Sequence, residues 1–267
     1  MGPSSGPRFR WQRSPTPLNA SRQAAPELPI IVVFEEATEA IAHAYSTLGH
    51  GLGWRFLYTP ARTLAPGAPL LFAGLNPGGY EDPGHPQRSV ETGNAYRVEP
   101  WGANGQLNPL QLQVCALYER LAQHLPGCDR DTLMDTSLSA NFCPFRSPSW
   151  AALPSKKELV AFSRGLWSRI LDATIPPALI CLTELPTRYI SGILQKLNWR
   201  VAEEQVIKVG WGSVTCSIRT LTRRGNETVL VRLPHLSRYQ IIGRRSSEVA
   251  VDHVVRAIAR SVQRHRA

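Results

Sequence analysis

The sequence predicts an α/β protein, a three-layer α/β/α sandwich with a central, mostly parallel sheet. Apolar runs of strand length alternate along the chain with segments whose apolar residues recur at helical spacing, the pattern of β-α units. The run Pro69-Leu70-Leu71-Phe72-Ala73 leads straight into Gly74-Leu75-Asn76-Pro77-Gly78-Gly79-Tyr80. A buried strand thus ends in a polar glycine-proline loop, at the carboxyl edge where open α/β sheets place their ligands. With 267 residues, 43% of them hydrophobic, the chain can bury one sizeable core.

Residues 1–28 are rich in Pro, Ser, Gly and Arg and lack apolar periodicity, which predicts a disordered basic tail ahead of a single domain over 29–267. Arg8, Arg10, Arg13 and Arg22 of that tail are suited to non-specific phosphate contact. Ala37, Ile41, Ala42 and Tyr45 predict a helix over 35–48. Leu110, Leu112, Val114, Leu117, Tyr118 and Leu121 predict a second over 109–125, and a third spans 156–173. Ala178-Leu179-Ile180-Cys181-Leu182 reads as a buried strand feeding a helix over 189–197. Strands are expected over 201–207, 213–222 and 229–233. A last helix spans 247–263, with Val251, Val254, Val255, Ile258 and Val262 facing inward. No internal repeat is evident.

Thirty Lys and Arg against twenty Asp and Glu give a net charge of +10, which points to a polyanionic partner. Arginine dominates the surplus, and its planar fork suits phosphate oxygens and base edges. The five cysteines, Cys115, Cys128, Cys143, Cys181 and Cys216, are scattered without a Cys-x-x-Cys pair. No metal or cofactor site is expected from them, and they imply a reducing, cytoplasmic compartment. No run approaches the length of a membrane span, and the N-terminus lacks the apolar core of a secretory signal.

Two more loops follow the strand-then-polar pattern. Leu138-Ser139-Ala140-Asn141-Phe142-Cys143-Pro144-Phe145-Arg146-Ser147-Pro148 carries an Asn with a Pro three residues on. The strand Thr228-Val229-Leu230-Val231-Arg232-Leu233 stops at Pro234-His235-Leu236-Ser237-Arg238-Tyr239. Three polar loops, each at the end of an apolar run, can converge on one site. Together they resemble the uracil-DNA glycosylase superfamily, in which a strand-end Gly-x-Asn-Pro-Gly or Gly-x-Asp-Pro loop, a central Asn and a late His/Pro/Ser loop form the site. Gly74-Leu75-Asn76-Pro77-Gly78 is most similar to the mismatch-specific and single-strand-selective monofunctional branches, and Asn141-Phe142-Cys143-Pro144 to the latter. The late loop departs from the usual His-Pro-Ser or Asn-Pro-Ser order, since Pro234 precedes His235. The resemblance spans roughly residues 55–260.

What the resemblance implies is a monofunctional DNA glycosylase, a monomer without cofactor or membrane contact, acting on double- or single-stranded DNA with a flipped base. Cleaving a base from deoxyribose develops oxocarbenium character on the sugar and negative charge on the departing base. The site must therefore place a water below C1′ and stabilise the leaving anion. Asn76 can orient a water through its amide oxygen but cannot take its proton, so most of the acceleration falls to the leaving-group side. His235, neutral or cationic, is the candidate donor there. Asn141 both donates and accepts, and so suits the polar edge of a flipped pyrimidine without naming the base. The resemblance adds Gly74, Leu75, Pro77, Gly78 and Tyr80 to the substrate-binding set, with Phe142 as a stacking partner beside Asn141. His235-Leu236-Ser237-Arg238 is expected to enter the duplex, Leu236 filling the vacated stack, with Ser237 and Arg238 toward the DNA.

Classical uracil glycosylases carry a Tyr after the Pro that blocks substituents on pyrimidine C5, and here that position is Gly78. The opening, with the loop over 79–106, suits a 5-hydroxymethyl or bulkier pyrimidine, including a glucosylated phage base. Base-excision repair and defence against phage with modified DNA both fit. A nucleotide-phosphate enzyme is disfavoured by the lack of Gly-Lys-Ser/Thr after the glycine loop, and a serine hydrolase by the lack of Gly-x-Ser-x-Gly. The rival reading is a non-catalytic DNA-binding protein on the same fold.

Overall fold

The computed structural model of the chain describes residues 30–79 and 87–266. The expected tail over 1–28, with its four arginines, and Tyr80 lie outside the described residues.

Among the described residues six strands form one sheet: β1 (Leu70–Gly74), β2 (Leu138–Asn141), β3 (Ala178–Leu182), β4 (Arg200–Lys208), β5 (Thr215–Arg223) and β6 (Asn226–Leu233). Their order is β2-β1-β3-β6-β5-β4. The first four of that order are parallel, and β5 and β4 are added antiparallel beyond β6. The helices are α1 (Ile30–Thr47), α2 (Ala95–Val98), α3 (Pro109–Ala122), α4 (Arg130–Thr136), α5 (Lys156–Ala173), α6 (Glu184–Lys196), α7 (Leu236–Tyr239) and α8 (Glu248–Arg266).

Side chains alternate faces along a strand, and both faces here are covered. Leu70 and Phe72 of β1 and Ile180 of β3 join a core with Val114 and Leu117 of α3 and Val254 and Ile258 of α8. Leu71, Ala73, Leu179 and Cys181 join the opposite core with Ile41 of α1, Trp167 of α5 and Ile190 of α6. The architecture is α/β with a mostly parallel sheet, consistent with a three-layer sandwich.

The longer expected helices and strands appear within a few residues of their expected bounds. α6 begins five residues earlier than its apolar pattern suggested, because Pro186 sits in the first turn, where a missing N–H breaks no helical bond. α2 and α4 were not expected; each is held by a local cap, from Asn94 to the Tyr96 amide and from Asp129 to the Thr132 amide. β4 is a charged, mostly exposed edge strand with an irregular register between Val201 and Glu203, features that discourage pairing with another chain. The free edge of β2 is covered by residues 54–58, which run antiparallel to it through isolated bridges Trp54 to Phe145 and Leu57 to Ala140.

Candidate active site

All four parallel strands end at the same sheet edge, so the three polar loops lie along one side of the molecule. β1 and β2 are in direct register, with Gly74 opposite Asn141. The ladder continues beyond the strands: the amides of Phe142 and Cys143 donate to the carbonyls of Gly74 (2.9 Å) and Leu75 (2.8 Å), and Ser147 to Pro77 (3.1 Å). The two loops are therefore zipped together by backbone bonds. A Cβ at 74 would lie 2.1 Å from Oδ1 of Asn141, so any larger residue there would have to displace that amide.

Asn141 is almost buried, and its Nδ2 donates to the hydroxyl of Tyr58 at 2.9 Å. Tyr58 arrives on the segment covering β2, where its amide donates to the Ser139 carbonyl. Its ring stacks on Tyr96 (centroids 5.5 Å apart, 23° between planes) and lies beneath the guanidinium of Arg55 at 4.3 Å. Arg55, 1% exposed, makes two 2.7 Å bonds to Glu99, which also accepts from the Trp101 indole at 3.0 Å. Removing one member of such a buried pair strands the other charge, so the network fixes the floor under Asn141. Burial raises the Tyr58 pKa, with Arg55 and then Arg146 opposing it, so the phenol stays protonated. Its oxygen accepts from Asn141, and its O–H remains able to donate.

Asn76 is half-buried, and its Nδ2 donates to the Pro77 carbonyl at 2.9 Å. That bond uses one of the two amide hydrogens and fixes the orientation, and among the described residues Oδ1 is an open acceptor. Leu75 is half-buried and Pro77 buried, while Gly78 is exposed, and among the described residues no heavy atom beyond its chain neighbours lies within 4 Å of where a Cβ would stand. Arg146 reaches toward the Gly78 carbonyl, its Nη1 3.4 Å away, and puts a cation at that rim.

His235 follows β6, two strands from β1, a lateral offset of about 10 Å. The imidazole is exposed, and its Nδ1 lies 2.8 Å from the Ser237 hydroxyl. Desolvation of the ring and then the Arg238 charge lower its pKa below the ordinary 6.5, favouring the neutral form. A neutral ring accepting from Ser237 at Nδ1 carries its proton on Nε2. Between the loops, Thr183 at the end of β3 adopts φ 76° and ψ 175°, a conformation that costs a β-branched residue about 1–3 kcal/mol. It is held there by its amide bond to the Leu233 carbonyl and by the Thr187 hydroxyl donating to its own carbonyl, both 2.7 Å.

Two expected contact residues are corrected. Phe142 is fully buried, stacked on Tyr189 at 4.7 Å, with its carbonyl accepting from the Trp167 indole. A side chain wholly enclosed in the core offers no face to a base. Leu236 is also fully buried, in the core that contains α3 and α8, so it is not a wedge for the stack. Ser237 is half-buried against His235, and Arg238 is exposed over the Tyr239 ring at 5.5 Å.

Sequence reasoning missed Tyr58, Arg55, Glu99, Arg146 and Thr183. The aromatic run Trp54-Arg55-Phe56-Leu57-Tyr58, stopped by Pro60, was the available signal for an extended segment beside the sheet. All five cysteines are unpaired. Cys143, beside Asn141, is buried and its pKa is pushed up to about 12, so it offers no thiolate nucleophile. Among the described residues no group of three or more His, Cys, Asp or Glu could hold a metal, and no helix is long and apolar enough to cross a membrane. The chain matches no protein-family model and no curated protein.

Proposed function

We propose that the chain is a monofunctional DNA glycosylase of the uracil-DNA glycosylase type, cytoplasmic, excising a uracil-like or 5-substituted pyrimidine. The observation that carries this reading is the zipped pair of loops that sets a free Asn76 acceptor beside a nearly buried Asn141 at one sheet edge. In the reaction Asn76 Oδ1 holds a water against C1′. The N-glycosidic bond breaks with its electron pair leaving on the base, water oxygen bonds to C1′, and a proton passes to solvent. Asn141 pairs with the base edge, supported by Tyr58. His235 Nε2–H donates to the carbonyl on which negative charge develops, so the interaction strengthens toward the transition state. The products are free base and an abasic site.

Gly78 leaves the C5 side of this arrangement open, and Arg146 at its rim suits a hydroxyl-bearing substituent. That favours 5-hydroxymethyl or glucosylated pyrimidines, in repair or in defence against phage with modified DNA. The burial of Leu236 favours bases that are already unpaired, because duplex flipping lacks its expected wedge. The test is release of free base from single-stranded and duplex oligonucleotides bearing uracil, 5-hydroxymethyluracil or glucosylated hydroxymethylcytosine, with Asn76→Ala and His235→Ala as controls. Release that both variants abolish supports the reading. Tight DNA binding with no release from any substrate would leave the non-catalytic DNA-binding protein.

A further inference from the structure

The β4–β5 hairpin is not used by the site described above, yet its tip lies at the same edge. β5 runs antiparallel to β6 with Ser217 opposite Arg232, so the turn over 209–214 falls beside the end of β6, where the His235 loop begins. The turn is closed by Val209 donating to Val214 and Val214 to Trp211, both 3.0 Å. It is pressed onto the segment ahead of α8: Gly210, at φ 71°, would place a Cβ 1.8 Å from the Ser246 carbonyl oxygen. Only glycine permits this approach.

What the contact brings together is a half-buried Trp211, the guanidinium of Arg244 3.7 Å above its ring, and the edge of Tyr239, with Arg238 over the Tyr239 ring. Arg238, Arg244 and Arg245 are exposed and make no ion pair among the described residues. Arginines elsewhere on the same hairpin sheet do: Arg219 holds Glu204, Arg223 Asp172 and Arg232 Glu184. A tryptophan needed only to anchor the turn would not require an uncompensated guanidinium on its ring, a second on the tyrosine it packs against and a third next in sequence. A guanidinium layered on an indole presents its outer face for another planar group, and unpaired bases stack on such planes.

We propose that this face is a track for single-stranded DNA running from the site past the His235 loop, with an unpaired base stacking on the Trp211–Arg244 pair and Arg238 and Arg245 meeting phosphates. The inference rests on the nucleic-acid reading above and names the strand form that this surface takes.

The experiment uses the full chain and a fluorescein-labelled oligodeoxythymidylate, which contains no excisable base, so its result is independent of base release. Affinity is measured by anisotropy across a salt series for wild type, Arg244→Glu/Arg245→Glu, and Trp211→Ala. The charge reversal should weaken binding at least tenfold and reduce the salt slope by about 0.7, because Arg245 alone of the pair meets a phosphate. Trp211→Ala should weaken binding with little change in slope. Should Trp211→Ala fail to fold, the surface reversal decides alone. Unchanged affinity and slope in the reversal overturn the track, as does equal weakening on a duplex of the same length, which would show general backbone attraction. Loss of base release with oligodeoxythymidylate binding intact would count against the glycosylase reading and leave the track standing.

Discussion

Gly74 and Asn141 face each other across adjacent parallel strands so closely that the side-chain amide oxygen occupies the space a methyl group at 74 would take, 2.1 Å from that Cβ. The glycine is there to admit the amide. Gly74→Ala should therefore push Asn141 off the Tyr58 hydroxyl, at an overpacking cost of about 1–3 kcal/mol, and lower base release by more than tenfold. Thermal unfolding and single-turnover base release check both halves; wild-type release at reduced stability would show that Asn141 does not read the base.

Tyr58→Phe keeps the ring between Arg55 and Tyr96 and removes only the acceptor that holds Asn141. A single hydrogen bond contributes about 0.5–1.5 kcal/mol net, so the fold should tolerate the change. Base release should fall about tenfold, because a buried amide without its partner turns and presents the wrong group to the base. Parallel unfolding and release assays distinguish the two effects, and equal release by both proteins would remove Tyr58 from the site.

Leu236→Ala belongs to the core and not to the DNA. With Leu236 fully buried, truncation should cost about 2–5 kcal/mol and weaken action on single strands and duplexes alike. A duplex-specific loss with unchanged stability would restore the wedge.

The contrast between Leu236 and Asn76 shows what local sequence can carry. Asn76-Pro77-Gly78 is legible because proline and glycine chemistry fixes a turn within a few residues, and the strand before it is uniformly apolar. The parallel sheet was legible for a similar reason, since its strands are short buried runs between helical segments. Leu236 and Phe142 are apolar residues inside polar loops, and only packing from distant helices decides whether they face core or solvent. Tyr58 meets Asn141 across 83 residues and Arg55 meets Glu99 across 44; such pairs have no local periodicity to betray them. The antiparallel pair β4 and β5 was seen as two strands, but their place at the site edge follows from the sheet order alone.

The His235 shift sets the pH dependence. Burial and the Arg238 charge hold the His235 pKa below its ordinary value, so on the proposed mechanism the ring acts at neutral pH as an uncharged donor, and raising the pH further removes no proton from it. Base release should be flat from neutral to moderately alkaline pH, with the His235-linked inflection below 6.5 and absent in His235→Gln. The sign for stability follows from linkage: the unfolded chain takes up a proton near 6.5 that the folded ring resists, so this group costs stability as pH falls through that range. An inflection above neutral pH would identify an imidazolium as the donor.

On the proposed reading, the rim at Gly78 governs which base enters. No heavy atom of the described residues stands within 4 Å of a Cβ there, so a side chain can leave the backbone at Gly78 unobstructed, and on the proposed reading the Gly78→Tyr ring lies over the C5 side of the substrate. Overlap with a hydroxymethyl or larger substituent should cost about 1–3 kcal/mol in the transition state, roughly ten- to a hundredfold in release rate, while unsubstituted uracil loses little. The measured quantity is the ratio of release rates for 5-modified and unmodified substrate, wild type against variant, because a ratio cancels any general loss of folded enzyme. Arg146→Ala separates steric from polar selection at the same rim: it should reduce release of the hydroxyl-bearing base and leave uracil unaffected. A ratio that Gly78→Tyr leaves unchanged would mean that Gly78 faces away from C5, and the bulky substrate would lose its structural support.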